Sequence, residues 1–325
     1  MKTSVQGHGD RKVITLGYLA AFGVVLVTSA YPALTRLSIT TTLTPADLLL
    51  FRLGISGLLF APYLIRHARE ISKSDWLSIV PLSFLHGWGM ASCVIFGLQF
   101  APASHAAALG PGAIAAWIAL VGFLFYRIEV DSKRLAGITI IVIGVALILV
   151  ASYRGQSLAT AVVGDSMFLA ASALGAMYLV YIQRRRLDPV IAAALVCVGS
   201  AMVVGPWHYF FATSAIATAS FAELSWQLVF QGVVVGCCAF FALNYAVLAI
   251  GSQTVGVLSA LVPVAGALCA LAITRDPISG LEWAAIVSIS SGVALACVPW
   301  RRSRAVTPIR QPAWGTRLES PTLTR

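Results

Sequence analysis

In the stretch FLHGWGM, His86 and Trp88 lie deep in an apolar segment, about ten to twelve residues and roughly 15 to 18 Å from its start at the rise of an α-helix. An ionisable ring at that depth in oil is costly unless it faces a wet cavity or a partner. There His86 can donate to a polar group of a bound molecule, while Trp88 offers a flat apolar or cation-binding face. The plainer alternative is a neutral His bonded to a helix neighbour, with Trp88 as packing. His105, in ASHAAALGPG (Ala103 to Gly112), leaves open a cavity role and an interfacial one. Trp117 also falls well inside an apolar segment. Gln99, Gln231, Tyr245 and Asn244, the only Asn in the chain, are further cavity candidates, with glue between helices as the alternative for the amides.

Arg52 is the one cation inside an apolar segment, and its expected role is structural, by snorkelling or by pairing with Asp47. Asp47, Asp165 and Glu282 fall near segment ends. A relay of midplane carboxylates is therefore not expected, and any proton coupling would fall to His86 or His105. The six cysteines sit in apolar segments with no CxxC and no nearby His at ligand spacing. They read as small hydrophobes, so no metal and no cofactor is expected.

Positioning these side chains is the work of a membrane bundle. Of 325 residues 59% are hydrophobic and 10% charged, with mean hydropathy +0.88, against about 25% charged in ordinary soluble domains. Cutting at polar and Pro/Gly interruptions gives ten segments, at roughly 13–34, 46–66, 76–98, 101–126, 134–152, 160–182, 188–211, 224–249, 252–274 and 279–300, each near the about 20 residues that a bilayer core needs. The first is too long for the apolar part of a signal peptide and reads as a span. Gaps near Gln99 and Gly251 are short enough to force antiparallel hairpins. With the N-terminus in the cytoplasm, Lys and Arg divide 18 inside to 3 outside, which places both termini inside. That pattern explains the +10 charge without nucleic acid. Residues 301–325 are basic and Pro/Thr-rich, a composition expected to be disordered.

The two halves resemble each other. Gly17 and Tyr31 match Gly164 and Tyr178; GVAL at Gly144 recurs at Gly292, and Arg127 precedes Arg275 by the same 148 positions. Pro111, after AALG, answers Pro263, after SALV. A duplicated five-span unit must insert inverted, so the expected fold is all-α, ten transmembrane helices as two inverted five-helix repeats, over 13–152 and 153–300, between an N-terminal segment 1–12 and the tail 301–325. Pro111 and Pro263, each freeing a carbonyl one turn earlier, are matched hinge candidates. Tyr31 and Tyr178, each placed near a span end, are candidate gates, or equally interfacial anchors.

The stretches ADLLLFRLGISGLLFAPYLI, GLQFAPASHAAALGPG, LAGITIIVIGVALILV, GDSMFLAASALGAMYLVYIQRR and SQTVGVLSALVPVAGAL resemble the drug/metabolite transporter superfamily in its ten-helix EamA form. The resemblance implies a bacterial inner-membrane transporter with a central cavity lined by helices one, three, four, six, eight and nine. It also implies a small-molecule substrate, and it leaves room for a homodimer. Members often carry a Glu where Glu129 stands, but the matching place in the second half holds Asp276, so no coupling role is carried over. The expected function is export of a small organic metabolite, an amino acid or relative, by alternating access. The alternatives are a drug or metabolite permease acting in uptake, a sensor, or a membrane-embedded enzyme, which would need His and acidic residues clustered at a span end, and no such cluster is expected in this chain.

Overall fold

The computed structural model describes residues 3–126, 131–155, 158–185 and 187–297, which form helices joined by turns and loops, with no strand among them. Ten helices are long and apolar enough to cross a membrane: α1 (Val13–Thr41), α2 (Pro45–Arg66), α3 (Lys73–Gly97), α4 (Ala103–Val121), α5 (Ser132–Ser152), α6 (Thr160–Ile182), α7 (Val190–Phe211), α8 (Phe221–Val247), α9 (Thr254–Ile273) and α10 (Gly280–Cys297). The bundle's outside is apolar, with Leu58, Ile65, Tyr209, Phe211 and Phe221 largely exposed, as a lipid-facing surface requires. The basic tail from residue 301 lies outside the described residues, as does Glu129.

The largest departure from the sequence reading is α1, which runs seven residues past the expected end at 34, to Thr41. The β-branched stretch SITTT looks like a loop, but the Thr40 and Thr41 hydroxyls bond back to the Arg36 and Leu37 carbonyls and hold the last turn. Tyr31 is therefore buried mid-span rather than at a mouth. The two short hairpins form where expected; at the second, Gly251 turns the chain at φ +84°, a left-handed conformation that suits glycine.

Odd-numbered helices end, and even-numbered ones begin, at the face of the bundle that carries Arg36. Here it is called the Arg36 end. Helices α2 and α7 pack on one flank and α5 and α10 on the other, while α1, α3, α4, α6, α8 and α9 occupy the middle. The repeated GVAL glycines lie at the α5–α10 crossing. A Cβ on Gly292 would come within 2.7 Å of the Gly137 carbonyl and 2.9 Å of the Ile141 amide nitrogen. One on Gly144 would meet the Ala285 carbonyl at 2.9 Å and the Ile289 amide nitrogen at 3.0 Å. Ala285 and Ile289 are Gly137 and Ile141 displaced by the repeat offset of 148, so the contact is the same on both sides of a pseudo-two-fold axis. Its backbone-to-backbone closeness is the usual way helices associate in lipid.

The paired prolines behave differently. Pro111 sits inside a continuous helix, whereas α9 breaks at Ala260 and Leu261 into two pieces, the second opening with Pro263 in its first turn.

Replacing Gly144 or Gly292 by Leu must push two backbones apart, and overpacking of this kind costs about 1 to 3 kcal/mol or more. Each variant is expected to unfold at a clearly lower temperature in detergent than wild type, while Gly23→Ala, which meets nothing within 4 Å, leaves the temperature unchanged. Equal unfolding temperatures for all three would contradict the crossing.

Candidate functional site

Polar groups collect in two tiers, one at the Arg36 end and one in the middle of the bundle. At the Arg36 end the charged groups Arg36, Asp276, His105, Asp165 and Glu282 engage one another. Arg36 donates to the Leu98 and Ala101 carbonyls, which close α3 and its hairpin, and pairs with Asp276 at 3.2 Å. A cation on a helix C-terminus is favourably placed with respect to the helix dipole.

Beside it, His105 is almost fully buried, with Nδ1 2.9 Å from Asp165 Oδ1 and Nε2 2.9 Å from Glu282 Oε1. Two carboxylate acceptors call for two N–H donors, which is the imidazolium form. The Ser152 hydroxyl donates to the other oxygen of Asp165. This cluster joins α4 and α5 of the first half to α6 and α10 of the second. His105 is thus neither interfacial nor open to a cavity.

A cluster of His and acidic residues at span ends is what the sequence, taken in linear order, does not display; the fold assembles it from residues up to 177 positions apart. It does not have the geometry of a hydrolase triad. There the nucleophile and the acid take opposite ring nitrogens, whereas here Ser152 and Asp165 share the Nδ1 side and Glu282 occupies Nε2.

Asp47 has a similar life on α2. It accepts from His208 Nε2 at 2.8 Å, the Ser214 hydroxyl at 2.7 Å, the Ala215 amide at 2.9 Å and Thr44. The expected Asp47–Arg52 pair does not form. Five positions along a helix turn a side chain through about 500°, leaving the two roughly 140° apart around α2. Arg52 faces α1 instead, with its guanidinium 4.7 Å from the centre of the Tyr31 ring.

Three of the carboxylates near span ends carry a local signal. TPAD, SFAE and SGLE place Thr44, Ser220 and Ser279 three residues before Asp47, Glu223 and Glu282, a helix-start signature. In each case the hydroxyl accepts from the acid's own backbone N–H. Each acid then reaches across to another helix: Asp47 to His208, Glu282 to His105, and Glu223 to Ser38 of α1 and to Thr42 just past its end.

The middle tier is different. His86 stacks on Tyr178, centroids 4.2 Å apart and planes 14° from parallel. His86 lies in a π-helical stretch, Ser83–Gly87; the repeat offset maps this onto 231–235, inside the π-helical stretch Leu228–Cys238 of α8. Such widened turns leave backbone groups to be satisfied from outside and recur at functional sites. Here Ser200 of α7 does so, its hydroxyl donating to the Ser83 carbonyl and accepting from the Trp88 amide. A Cβ at Gly87 would overlap that hydroxyl.

Trp88 packs against Phe84, 4.9 Å between ring centroids. Gln231 donates to the Thr35 hydroxyl at 3.0 Å and Gln227 to Ser38 at 2.6 Å, both across the α1–α8 contact. Trp117 donates to Ser172 at 3.1 Å, joining α4 to α6. Tyr245 is half-buried on α8, and the side chain of Asn244 lies outside the described residues. Gln99 is exposed in the α3–α4 hairpin, away from the middle tier.

Two like-built halves of five helices, with small residues at their crossings and polar groups gathered inside, define a polytopic membrane transporter of the repeat type. The chain belongs to the EamA-like transporter family, which matches residues 15–150 and again 162–298, and so to the drug/metabolite transporter superfamily. The family implies a small-molecule substrate and a lipid environment. A solved crystal structure, titled only as that of a protein, shares the fold with TM-score 0.59 over 86% of this chain and 96% of its own, at 19% identity. No curated protein matches this chain.

Removing the cation from between two carboxylates leaves uncompensated buried charge, at a cost of about 3 to 5 kcal/mol. His105→Gln is expected to lower the unfolding temperature in detergent sharply, Glu282→Gln less, because Glu282 is the more exposed partner, and Gln99→Ala not at all. A His105→Gln protein as stable as wild type would show that the cluster contributes nothing.

Proposed function

We propose that this protein is an alternating-access transporter of the bacterial inner membrane, with both termini cytoplasmic, that exports a small organic metabolite, an amino acid or a close relative. The observation that carries the reading is the contrast between the tiers. At the Arg36 end Arg36, Asp276, His105, Asp165 and Glu282 pair with one another across both repeats, whereas in the middle the buried Tyr31 hydroxyl and His86 Nδ1 have no partner. Saturated contacts close a passage; unsatisfied ones suit a visiting ligand.

The 18-to-3 distribution of Lys and Arg supports a periplasmic Arg36 end. On that reading the closed side is the outer one, the arrangement in which an exporter loads from the cytoplasm. His86, Trp88, Tyr31 and Tyr178 then line the binding region and offer aromatic faces to an apolar side chain. His105, Asp165, Glu282 and Arg36 act as an outer latch, which must open for release. The midplane break before Pro263 is where α9 bends, with Pro111 as its partner in the first half.

Counterflow in proteoliposomes with a panel of labelled amino acids and related metabolites, with and without a pH gradient, tests this directly. Saturable exchange of at least one amino acid is expected, and Trp88→Ala and His86→Ala should each lower it about tenfold, the loss of one stacking or hydrogen-bonding contact. Folded protein that exchanges no compound would refute transport. Full activity in both variants would remove these two residues from the binding region.

A further inference from the structure

We infer that Arg52 and the Tyr31 hydroxyl form an anion subsite that holds the carboxylate of the transported molecule. This rests on the transporter reading and adds to it the ligand chemistry and the residues that select for it.

The argument begins with an imbalance. Arg52 is half-buried within α2, and among the described residues no carboxylate lies within ion-pair distance of its guanidinium. Its nearest acidic neighbour along the chain, Asp47, is already occupied by His208, Ser214, Ala215 and Thr44. The Tyr31 face beneath the guanidinium offsets only part of the cost of holding a cation away from water, since such contacts are weaker than a hydrogen-bonded counter-anion. Five N–H donors in a fork remain available to a planar, two-oxygen acceptor.

Independent atoms around this fork are also unpartnered. Tyr31 is buried, with a relative exposure of 7%, and its hydroxyl has no hydrogen-bond partner; His86 Nδ1 likewise has none. Of the buried side-chain polar atoms left without a partner among the described residues, all but Ser290 Oγ belong to one track. It runs from Gln227 Oε1 and Gln231 Oε1 near the Arg36 end to Tyr31 and His86 at the centre. Thr35, which receives Gln231, stands one helical turn from Tyr31 on the same stripe of α1. The track supplies donors at its inner end and amide acceptors further out.

One guanidinium with the Tyr31 phenol beneath it matches a single negative charge. A phosphate dianion would call for more cations than this region contains. A carboxylate fits, donated to by the guanidinium fork and the Tyr31 hydroxyl, with its apolar remainder toward Trp88 and the Tyr178 ring.

The test uses the full chain in proteoliposomes and three matched probes as competitors of exchange: phenylalanine, 3-phenylpropanoate, which lacks the amine, and phenethylamine, which lacks the carboxylate. Phenyl phosphate serves as a fourth. Phenylalanine and 3-phenylpropanoate are expected to compete at least about tenfold better than phenethylamine or phenyl phosphate, the margin of one charge-assisted hydrogen bond. Arg52→Gln should erase that preference, Arg52→Lys keep part of it, and Tyr31→Phe reduce it severalfold. The readout is the ratio between carboxylate and amine, which a purely structural Arg52 would not move. If Arg52→Gln fails to fold, Arg52→Lys and Tyr31→Phe decide the matter. Competition by phenethylamine equal to that of 3-phenylpropanoate, competition by none of the probes, or an unchanged ratio in folded variants overturns the subsite while leaving transport of other compounds intact. Absence of any exchange in folded wild type instead overturns transport itself.

Discussion

A polar group inside this bundle has no solvent to turn to, and most of its architecture answers that one constraint. In lipid each unsatisfied donor or acceptor carries its full desolvation cost. The chain meets this at the Arg36 end by pairing its charged groups with one another. Acids at the third position of helix starts serve the cap of their own helix and a residue on another, and Arg36 caps two carbonyls just past α3, those of Leu98 and Ala101, while pairing with Asp276. Because the even-numbered helices begin at this end, their positive dipole ends favour the carboxylates there. Polarity thus follows helix direction, and helix direction follows the number of spans.

The same constraint explains what the sequence could and could not reveal. Apolar run length located all ten helices, most to within a few residues, because lipid imposes length directly on sequence. The α1 extension escaped notice because Thr40 and Thr41 become helical only by bonding their hydroxyls back to the chain. His105 was visible as an anomaly, yet its partners were not: Asp165 and Glu282 lie 60 and 177 positions away, and no local pattern encodes a meeting of α4, α6 and α10. The helix-start signatures at Thr44, Ser220 and Ser279 did encode where those helices begin, but not that each acid would serve a second helix. Arg52 and Asp47 show the converse. Nearness in sequence suggested a pair that the turn of the helix forbids.

Duplication gave the molecule two copies of every position, and the copies have diverged in informative ways. Tyr31 and Tyr178 both became buried ring platforms, one beneath a guanidinium and the other against an imidazole. The widened helical turn recurs in α3 and α8, but His86 occupies one and Gln231 the other. The proline positions share a sequence context, while only α9 is broken before its proline. Shared backbone with unlike side chains is how a symmetric frame acquires an asymmetric interior.

The α5–α10 crossing carries this symmetry furthest. Its glycines bring two backbones together at equivalent points, so the contact is small and lies on the axis relating the halves. When one rigid body turns against another, atoms on the axis travel least and those far from it travel most. In the transport cycle proposed above, a crossing without side chains to unlock is therefore a fulcrum: it holds the two repeats together while groups far from it travel.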